Sequence, residues 1–245
     1  MFTLDYDGLI ARITIDRGSK RNAVPMKQWL CLEQRIAEAN RSDAQAVVIV
    51  SADAKSFCAG SDLSELVRLE ENPQLRRSFR GAMESAFTKL RAVNKPTIAI
   101  IRGGCFGTGM SLAGACDIRV AHPNATFSIT PARFGIAYPQ GDVDRLVSLI
   151  GAGQAARLLF GGSTLPASEA HRIGLVEELD DSDDVGAALI DGIRMSSPAS
   201  LRTLKAMLLG RAGTSASFDE AFDSRDFTDR IRSHKCVMDG QTVRR

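Results

Sequence analysis

The strongest constraint on the fold of this chain is a unit that occurs twice: a short apolar run, a glycine-containing turn and a helix. The runs "AVVIV" (46–50) and "TIAII" (97–101) are followed by "FCAGSDL" (57–63) and "GGCFGTG" (103–109). A short, continuous apolar run bounded by turn residues is typical of a strand buried on both faces. Buried strands that alternate with helices indicate an α/β core.

Helices dominate the later part of the chain, so the predicted α/β core is followed by a helical C-terminal region. Apolar periodicity and turn residues predict further strands at 9–15, 118–122, 125–130 and 175–179. They predict helices at 25–40, 73–93, 142–150, 153–160, 167–173, 184–195, 198–210 and 216–236. Because "SSP" (196–198) is the best boundary, we expect a core of residues 1–195 and a helical region of residues 196–245.

Composition excludes several classes of partner. Of the 245 residues, 44% are hydrophobic, which is enough to bury a substantial core. The 31 Lys and Arg against 29 Asp and Glu leave a net charge of +2, so neither nucleic acid nor a membrane is an expected partner. The cysteines are scattered and odd in number, which predicts reduced thiols in a cytoplasmic protein. The three histidines share no motif with them, and no metal site is expected.

The second glycine turn could bind a phosphate, allow close packing of a strand on a helix, or hold an anion that forms during a reaction. For the dinucleotide fingerprint G-x-G-x-x-G, Gly107 and Gly109 supply the first pair, but Leu112 stands at the third position. The phosphate-binding signature G-x-x-x-x-G-K-[ST] is absent as well. Close packing of a strand on a helix remains open. Since a helix begins with unpaired N–H groups, the two turns together can also aim two donors at one oxygen, which is an oxyanion hole.

Four segments carry a resemblance to a known family. They are "KRNAVPMKQW", "SFCAGSDL", "KPTIAIIRGGCFGTGMSLAGACDIRVAHPNATFSITP" and "LLFGGSTLPASEAHRIGLVEEL". Over at least residues 9–210, the chain resembles the crotonase superfamily, also called the enoyl-CoA hydratase/isomerase family. The resemblance implies a crotonase-like ββα spiral core, an acyl-CoA substrate and no separate cofactor, because coenzyme A is part of the substrate. It also implies a homotrimer or homohexamer with the C-terminal helices at the subunit contacts.

The resemblance also assigns site residues. It implies that the backbone N–H groups of Ser61 and Thr108 form the oxyanion hole. The positions that match the coenzyme A site and its surroundings are Lys20, Arg21, Ala23, Lys55, Phe57, Ala59, Asp62 and Leu63. The three cations among them are either phosphate contacts or ordinary surface charges. For Asp62, capping of the following helix is the expected role.

Two departures from the family pattern leave the reaction open. The resemblance places Ser111 and Ala132 at the positions of the two catalytic glutamates and in contact with substrate. Because a serine hydroxyl has a pKa too high for proton transfer, hydration by two glutamates is not expected. "TPARFGIAY" (130–138) is similar to methylmalonyl-CoA decarboxylases, in which Tyr138 would orient the leaving carboxylate, although those enzymes carry a histidine where this chain has Ser61.

Three functions therefore remain: a hydratase or isomerase with an unidentified proton carrier, a decarboxylase, and a non-catalytic acyl-CoA-binding protein. Asp142 and Asp144 are the remaining acids near the expected site. Their position at the start of a helix explains them without catalysis.

Overall fold

The computed structural model describes residues 1–211 and 215–238. Its internal contacts divide the chain into two compact units, Met1–Arg194 and Met195–Arg245. The strands are β1 Phe2–Asp7, β2 Ile10–Ile15, β3 Ala46–Ser51, β4 Ser56–Cys58, β5 Thr97–Ile101, β6 Gly104–Phe106, β7 Ile118–Ala121, β8 Thr126–Ser128, β9 Thr164–Pro166 and β10 Glu178–Leu179. The helices are α1 Gln28–Arg41, α2 Leu63–Leu66, α3 Pro73–Arg91, α4 Thr108–Ala115, α5 Gln140–Gly161, α6 Ala167–Arg172, α7 Ala187–Met195, α8 Pro198–Leu208, α9 Ser215–Phe222 and α10 Arg225–Met238.

Successive strands of the first unit enter two different sheets. The larger sheet has the order β1-β2-β3-β5-β7-β10, and the smaller sheet has the order β4-β6-β8-β9. Along the chain, the pairs β3 and β4, β5 and β6, and β7 and β8 each contribute one strand to the larger sheet and one to the smaller sheet. The pairings in the order β2-β3-β5-β7 and β4-β6-β8 are parallel, so equivalent strand ends lie at the same edge of each sheet.

The core forms where helices cover the larger sheet. All five residues of β5 are buried, as the continuous apolar run predicts. Helix α1 buries one apolar face and packs on α3, where the rings of Trp29 and Phe87 meet edge to face with centroids 5.3 Å apart. Burial of one large apolar side chain contributes about 1.5–3 kcal/mol, so this helix pair stabilises the core.

The sequence pattern missed β1 and three strands of the smaller sheet, β4, β6 and β9, whereas β8 lies within the strand predicted at 125–130. Residues 56–58 and 104–106 were expected to be loop and turn, but they are β4 and β6. Strands of three residues are too short to show an alternation of apolar and polar side chains, so periodicity cannot detect them. The two helices predicted within 142–160 are confirmed, because α5 is interrupted at Gly151, whose φ of 74° and ψ of 159° are not helical. The single helix predicted for 216–236 is divided into α9 and α10.

The second unit is helical in its described residues. Ser197 caps α8 by accepting a hydrogen bond from the N–H of Ser200 at 3.2 Å. The ring of Phe222 contacts Phe218 and Phe227, with centroids 5.2 and 5.0 Å apart, and these contacts join α9 to α10. Among the described residues, no helix has the length and apolar character that crossing a membrane requires.

Candidate active site

The two glycine turns touch because β4 and β6 are paired. Ser56 lies opposite Gly104 and Cys58 opposite Cys105 in this parallel pair. A Cβ added at Gly60, whose φ is +99°, would lie 3.0 Å from the carbonyl oxygen of Phe106 and 3.3 Å from the nitrogen of Thr108. Only glycine accommodates both this φ and this approach, so the sequence of the first turn determines how closely it meets the second.

Two backbone donors at this contact are not engaged. In the described part of the chain, the N–H groups of Ser61 and Thr108 have no acceptor, while the polar groups beside Ser61 are paired. Val24 donates to the carbonyl of Gly60 at 2.7 Å, and Asp62 donates to the carbonyl of Val24 at 3.0 Å. Thr108 is the first residue of α4, where a helical N–H has no partner within the helix. The Ser61 and Thr108 hydroxyl oxygens lie 3.2 Å apart, so the two donor residues are neighbours.

A buried asparagine joins the first loop to the first glycine turn. Asn22 has φ 57° and follows Arg21 with φ 50°, both in the left-handed region that asparagine tolerates better than most residues. Its side-chain amide nitrogen donates to Ser51 Oγ, Ser56 O and Phe57 O at 2.7, 3.0 and 3.2 Å. The sequence reasoning did not single out Asn22, although it lies in the quoted "KRNAV". The Asn22 side chain forms four hydrogen bonds, including one from the Arg17 N–H at 2.7 Å, and these bonds hold the first loop in place.

Asp62 is occupied with local structure. Its carboxylate accepts hydrogen bonds from the N–H and hydroxyl of Ser64 at 3.1 and 2.6 Å, and thereby caps α2. Its other oxygen lies 2.7 Å from Nη1 of Arg17, which also donates to the carbonyl of Ala23 at 2.7 Å. The Ser64 hydroxyl, followed by Arg17, lowers the pKa of Asp62 to about 2. The residue next to Ser61 is therefore held as an anion.

The residues expected at the coenzyme A site lie on two adjacent segments. The N–H of Ala59 and the hydroxyl of Ser56 both donate to the carbonyl of Arg21 at 2.9 Å, which holds residues 18–23 against residues 55–59. The structure places the remaining members of the set in different environments. Lys20, Arg21, Lys55 and Leu63 are exposed, Ala23 and Ala59 are half-buried, and the side chain of Phe57 is fully buried in the core.

A small cavity lies one helical turn beyond Thr108. Ser111, Tyr138 and Asp142 line this cavity of about 20 Å³, together with Arg91, Arg145 and aliphatic side chains. The Ser111 hydroxyl, the Tyr138 hydroxyl and Oδ2 of Asp142 are buried without a hydrogen-bond partner. Unpaired buried polar atoms are costly, and they indicate a site for water or ligand.

The other two residues that the sequence associated with this region lie elsewhere. Ala132 is exposed on a short 3-10 helix, Pro131–Phe134, and does not line the cavity. Asp144 is exposed, and its Oδ1 accepts a hydrogen bond from the side chain of Gln140 at 2.7 Å. The structure therefore brings Ser111, Tyr138 and Asp142 together and separates them from Ala132 and Asp144.

Burial controls the charge of both titratable groups in the cavity. It raises the pKa of Tyr138, so this residue is a neutral phenol that donates or accepts a hydrogen bond. Burial likewise raises the pKa of Asp142, while the nearby Ser111 hydroxyl and Arg91 partly oppose the change. Among the described residues, no group of three or more His, Cys, Asp or Glu side chains is arranged to hold a metal ion.

The two interleaved sheets and the touching glycine turns define a protein of the crotonase fold. A solved enoyl-CoA hydratase/isomerase family protein from Hyphomonas neptunium superposes with a TM-score of 0.87 at 30% identity, covering 98% of this chain and 95% of that chain. A family profile described as Enoyl-CoA hydratase/isomerase matches residues 6–239. The chain belongs to the enoyl-CoA hydratase/isomerase family of the crotonase superfamily.

Curated relatives include both hydratases and isomerases. The short-chain-enoyl-CoA hydratase of Clostridium acetobutylicum is 36% identical over 177 residues, which cover 72% of this chain and 67% of the relative. The peroxisomal Delta(3,5)-Delta(2,4)-dienoyl-CoA isomerase of Arabidopsis thaliana is 30% identical over 218 residues, covering 83% and 78%. Both the family and the fold predicted from the sequence are thus confirmed.

Proposed function

We propose that this chain is an enzyme that converts an acyl-CoA thioester through a thioester enolate, whose oxygen binds the N–H groups of Ser61 and Thr108. The observation that carries the proposal is the pair of unengaged donors on two touching glycine turns. The names of the relatives, an enoyl-CoA hydratase and a dienoyl-CoA isomerase, support an acyl-CoA substrate.

The two donors suit an enolate because they belong to a rigid backbone. Fixed N–H groups stabilise charge that develops in a transition state without any cost of reorganisation, and one such donor is worth about 10²–10³ in kcat. The exposed cations Lys20, Arg21 and Lys55 lie on the two segments that border the first turn. We assign them to the phosphates of coenzyme A, because charged donors form the stronger hydrogen bonds to phosphate.

The chemistry of the proton carrier differs from the two-glutamate pattern of the family's hydratases. We propose that Ser111 and Ala132 occupy the two glutamate positions, and that neither carries a proton. A serine hydroxyl ionises far above neutral pH, and alanine has no ionisable group. Turnover of crotonyl-CoA at rates normal for the family would contradict this part of the proposal.

A second candidate function is decarboxylation of a methylmalonyl-CoA-like substrate. The Tyr138 hydroxyl favours it, because this group is buried, unpaired and in the cavity with Ser111. Cleavage of the carbon–carbon bond releases CO₂ and leaves its electron pair as the same enolate, so no base is required. Assays of crotonyl-CoA hydration, 3-enoyl-CoA isomerisation and methylmalonyl-CoA decarboxylation separate the candidates. Binding of acyl-CoA in calorimetry without turnover in any assay would indicate a non-catalytic binding protein.

Replacement of Thr108 by proline tests the oxyanion hole directly. Proline has no N–H, and it is well tolerated at the first position of a helix, which Thr108 occupies in α4. We expect Thr108→Pro to reduce kcat by about 10²–10³. The matched variant Thr108→Ala removes the hydroxyl but keeps the N–H, and its kcat should remain within about threefold of the wild type, since the hole uses only the backbone donor.

The comparison of these variants decides the proposal. Their melting temperatures establish that both are folded before kinetics are compared. Equal kcat values for Thr108→Pro and the wild-type protein would refute the role of this N–H group. The homotrimer or homohexamer and the cytoplasmic location stay predictions, the first to be measured by sedimentation velocity and the second by cell fractionation.

A further inference from the structure

We propose that Asp142 is the proton carrier of this site, and that it moves one proton between two carbons of an enoyl-CoA thioester. The proposal rests on the proposed function, because it requires an enolate bound at Ser61 and Thr108. It assigns the group that the family resemblance leaves unidentified. It also selects isomerisation among the reactions that a thioester enolate allows.

Asp142 lies in the first turn of α5, where a helix favours an acid, but its side chain forms no capping hydrogen bond. Asp142 is the third residue of α5, whose N-cap position is Pro139. Asp142 is only 9% exposed, and its Oδ2 atom has no hydrogen-bond partner. Asp144, two residues later, has the exposed, hydrogen-bonded environment of an ordinary surface acid. A buried carboxylate oxygen without a partner is costly, and Asp142 lines a cavity.

Ser111 connects the donor turn to Asp142. Residues three apart on a helix lie on the same face, with Cβ atoms about 5–6 Å apart, so Ser111 follows Thr108 along one face of α4. The Ser111 hydroxyl lies beside both Asp142 and Tyr138. An enolate oxygen at the Thr108 N–H therefore directs the next carbons of the acyl group towards Ser111 and Asp142. Ser111 acts as a positioning residue, because its hydroxyl lies beside the carboxyl group of Asp142.

The size of the cavity limits what reaches Asp142. A volume of about 20 Å³ accommodates about one water molecule, since that requires about 10–15 Å³. A methylene group is of similar size, whereas a bulky acyl branch is not. The cavity therefore admits one methylene carbon of the acyl chain beside Asp142, which is enough for the carboxylate to remove a proton and return it.

The charged groups around Asp142 leave burial as the main influence on its protonation. Arg91 and Glu84 face it from α3 with opposite signs, and Arg145 lines the cavity from α5. Arg145 is itself engaged, because it donates to carbonyl oxygens at the C-terminal end of α4. Tyr138 remains neutral. A carboxyl group whose pKa is raised by burial is better suited to taking and returning a proton than an ordinary surface aspartate.

The proposed reaction balances with one carboxylate. The Asp142 carboxylate takes a proton from C2 of a 3-enoyl thioester, and the C–H electron pair forms the dienolate, whose oxygen binds the two N–H groups. The carboxylic acid then returns the proton to C4. As the C4–H bond forms, the double bond moves from C3–C4 to C2–C3, and the carbonyl is restored. The reaction consumes no oxidant, no reductant and no water.

Hydrogen–deuterium exchange at C2 of butyryl-CoA tests Asp142 apart from any later step. Exchange in D₂O, followed by mass spectrometry, requires only the oxyanion hole and a base. The second assay is isomerisation of 3-hexenoyl-CoA. We expect Asp142→Asn to reduce both rates at least about 100-fold, which is the lower range for loss of a general acid–base. Asp144→Asn is the matched control, and it should stay within about twofold of the wild type because that carboxylate is exposed and outside the cavity.

The variants also separate failure of this inference from failure of the proposed function. Butyryl-CoA affinity, measured by calorimetry, should change less than about threefold in Asp142→Asn, since the lost group acts on a proton rather than on binding. Exchange by Asp142→Asn at the wild-type rate would overturn the role of Asp142 and leave the enolate proposal intact. Absence of binding and exchange in the wild-type protein would overturn both.

The pH profile provides a readout that a structural role would not change. Because the carboxylate is the active base, the wild-type exchange rate should rise with pH through one ionisation above the usual aspartate range, in keeping with the raised pKa of Asp142. Absence of that ionisation from the wild-type profile would overturn the inference. Above the raised pKa, burial of the charge is unfavourable, so Asp142→Asn should melt no lower than the wild type. Loss of exchange in Asp142→Asn, with a melting temperature no lower than that of the wild type, would support the inference.

Discussion

Asp62 offers a quantitative test of how the first glycine turn is held. Its carboxylate caps α2 and pairs with Arg17 at 2.7 Å, and its side chain is 13% exposed. The pKa of Asp62 falls from the ordinary 3.8 to about 2, and this difference corresponds to about 2.4 kcal/mol at 1.36 kcal/mol per pKa unit. Since water screens part of the interaction, and asparagine still caps a helix, we expect Asp62→Asn to lose about 1–2 kcal/mol.

The dependence on pH follows from the direction of this pKa change. A group whose pKa is lower in the folded state stabilises the fold when it is ionised in both states. The contribution of Asp62 is therefore complete above about pH 4 and is lost as the pH falls from about 3.8 to about 2. Urea denaturation of the wild type and Asp62→Asn at pH 7 and at several values down to pH 2.5 measures it, with Asp144→Asn as the exposed control.

Two results would refute this reasoning. The first is a loss of stability in Asp62→Asn that is the same at pH 2.5 as at pH 7. The second is a loss at pH 7 below about 0.3 kcal/mol, which is no more than an exposed pair contributes. Because Asp62 follows Ser61 directly, the same variant should also reduce kcat, even though its carboxylate is not a proton carrier.

Two further substitutions test the contacts that bring the turns together. A Cβ at Gly109 would lie 2.5 Å from the carbonyl oxygen of Cys58, so Gly109→Ala should lose about 3 kcal/mol in urea denaturation, at the upper end for overpacking. Gly153→Ala on α5 is the control, because a Cβ there meets nothing within 4 Å. It should raise the free energy of unfolding by about 0.5–1 kcal/mol. Equal effects of the two substitutions would contradict the close approach of Gly109 to Cys58. Asn22→Ala removes all the hydrogen bonds of a fully buried side chain, so it should lose about 3–5 kcal/mol; a melting temperature within 2 °C of the wild type would contradict this.

The sequence by itself determined the elements with strong local patterns. The buried strands β3 and β5 were predicted because runs such as "AVVIV" and "TIAII" are stable only between covering layers. The glycines of both turns marked positions of close backbone approach. The family could also be predicted, because its motifs are runs of neighbouring residues.

The tertiary structure alone decided which of these residues meet. Ser61 and Thr108 are 47 positions apart, and their contact depends on the pairing of β4 with β6, two strands too short to be detected by periodicity. Asp142 and Asp144 stand two residues apart in "GDVDRL" and have the same chemistry. One is buried and the other exposed because residues two apart on a helix point in different directions, and only the packing of α5 on α4 defines which direction faces the cavity.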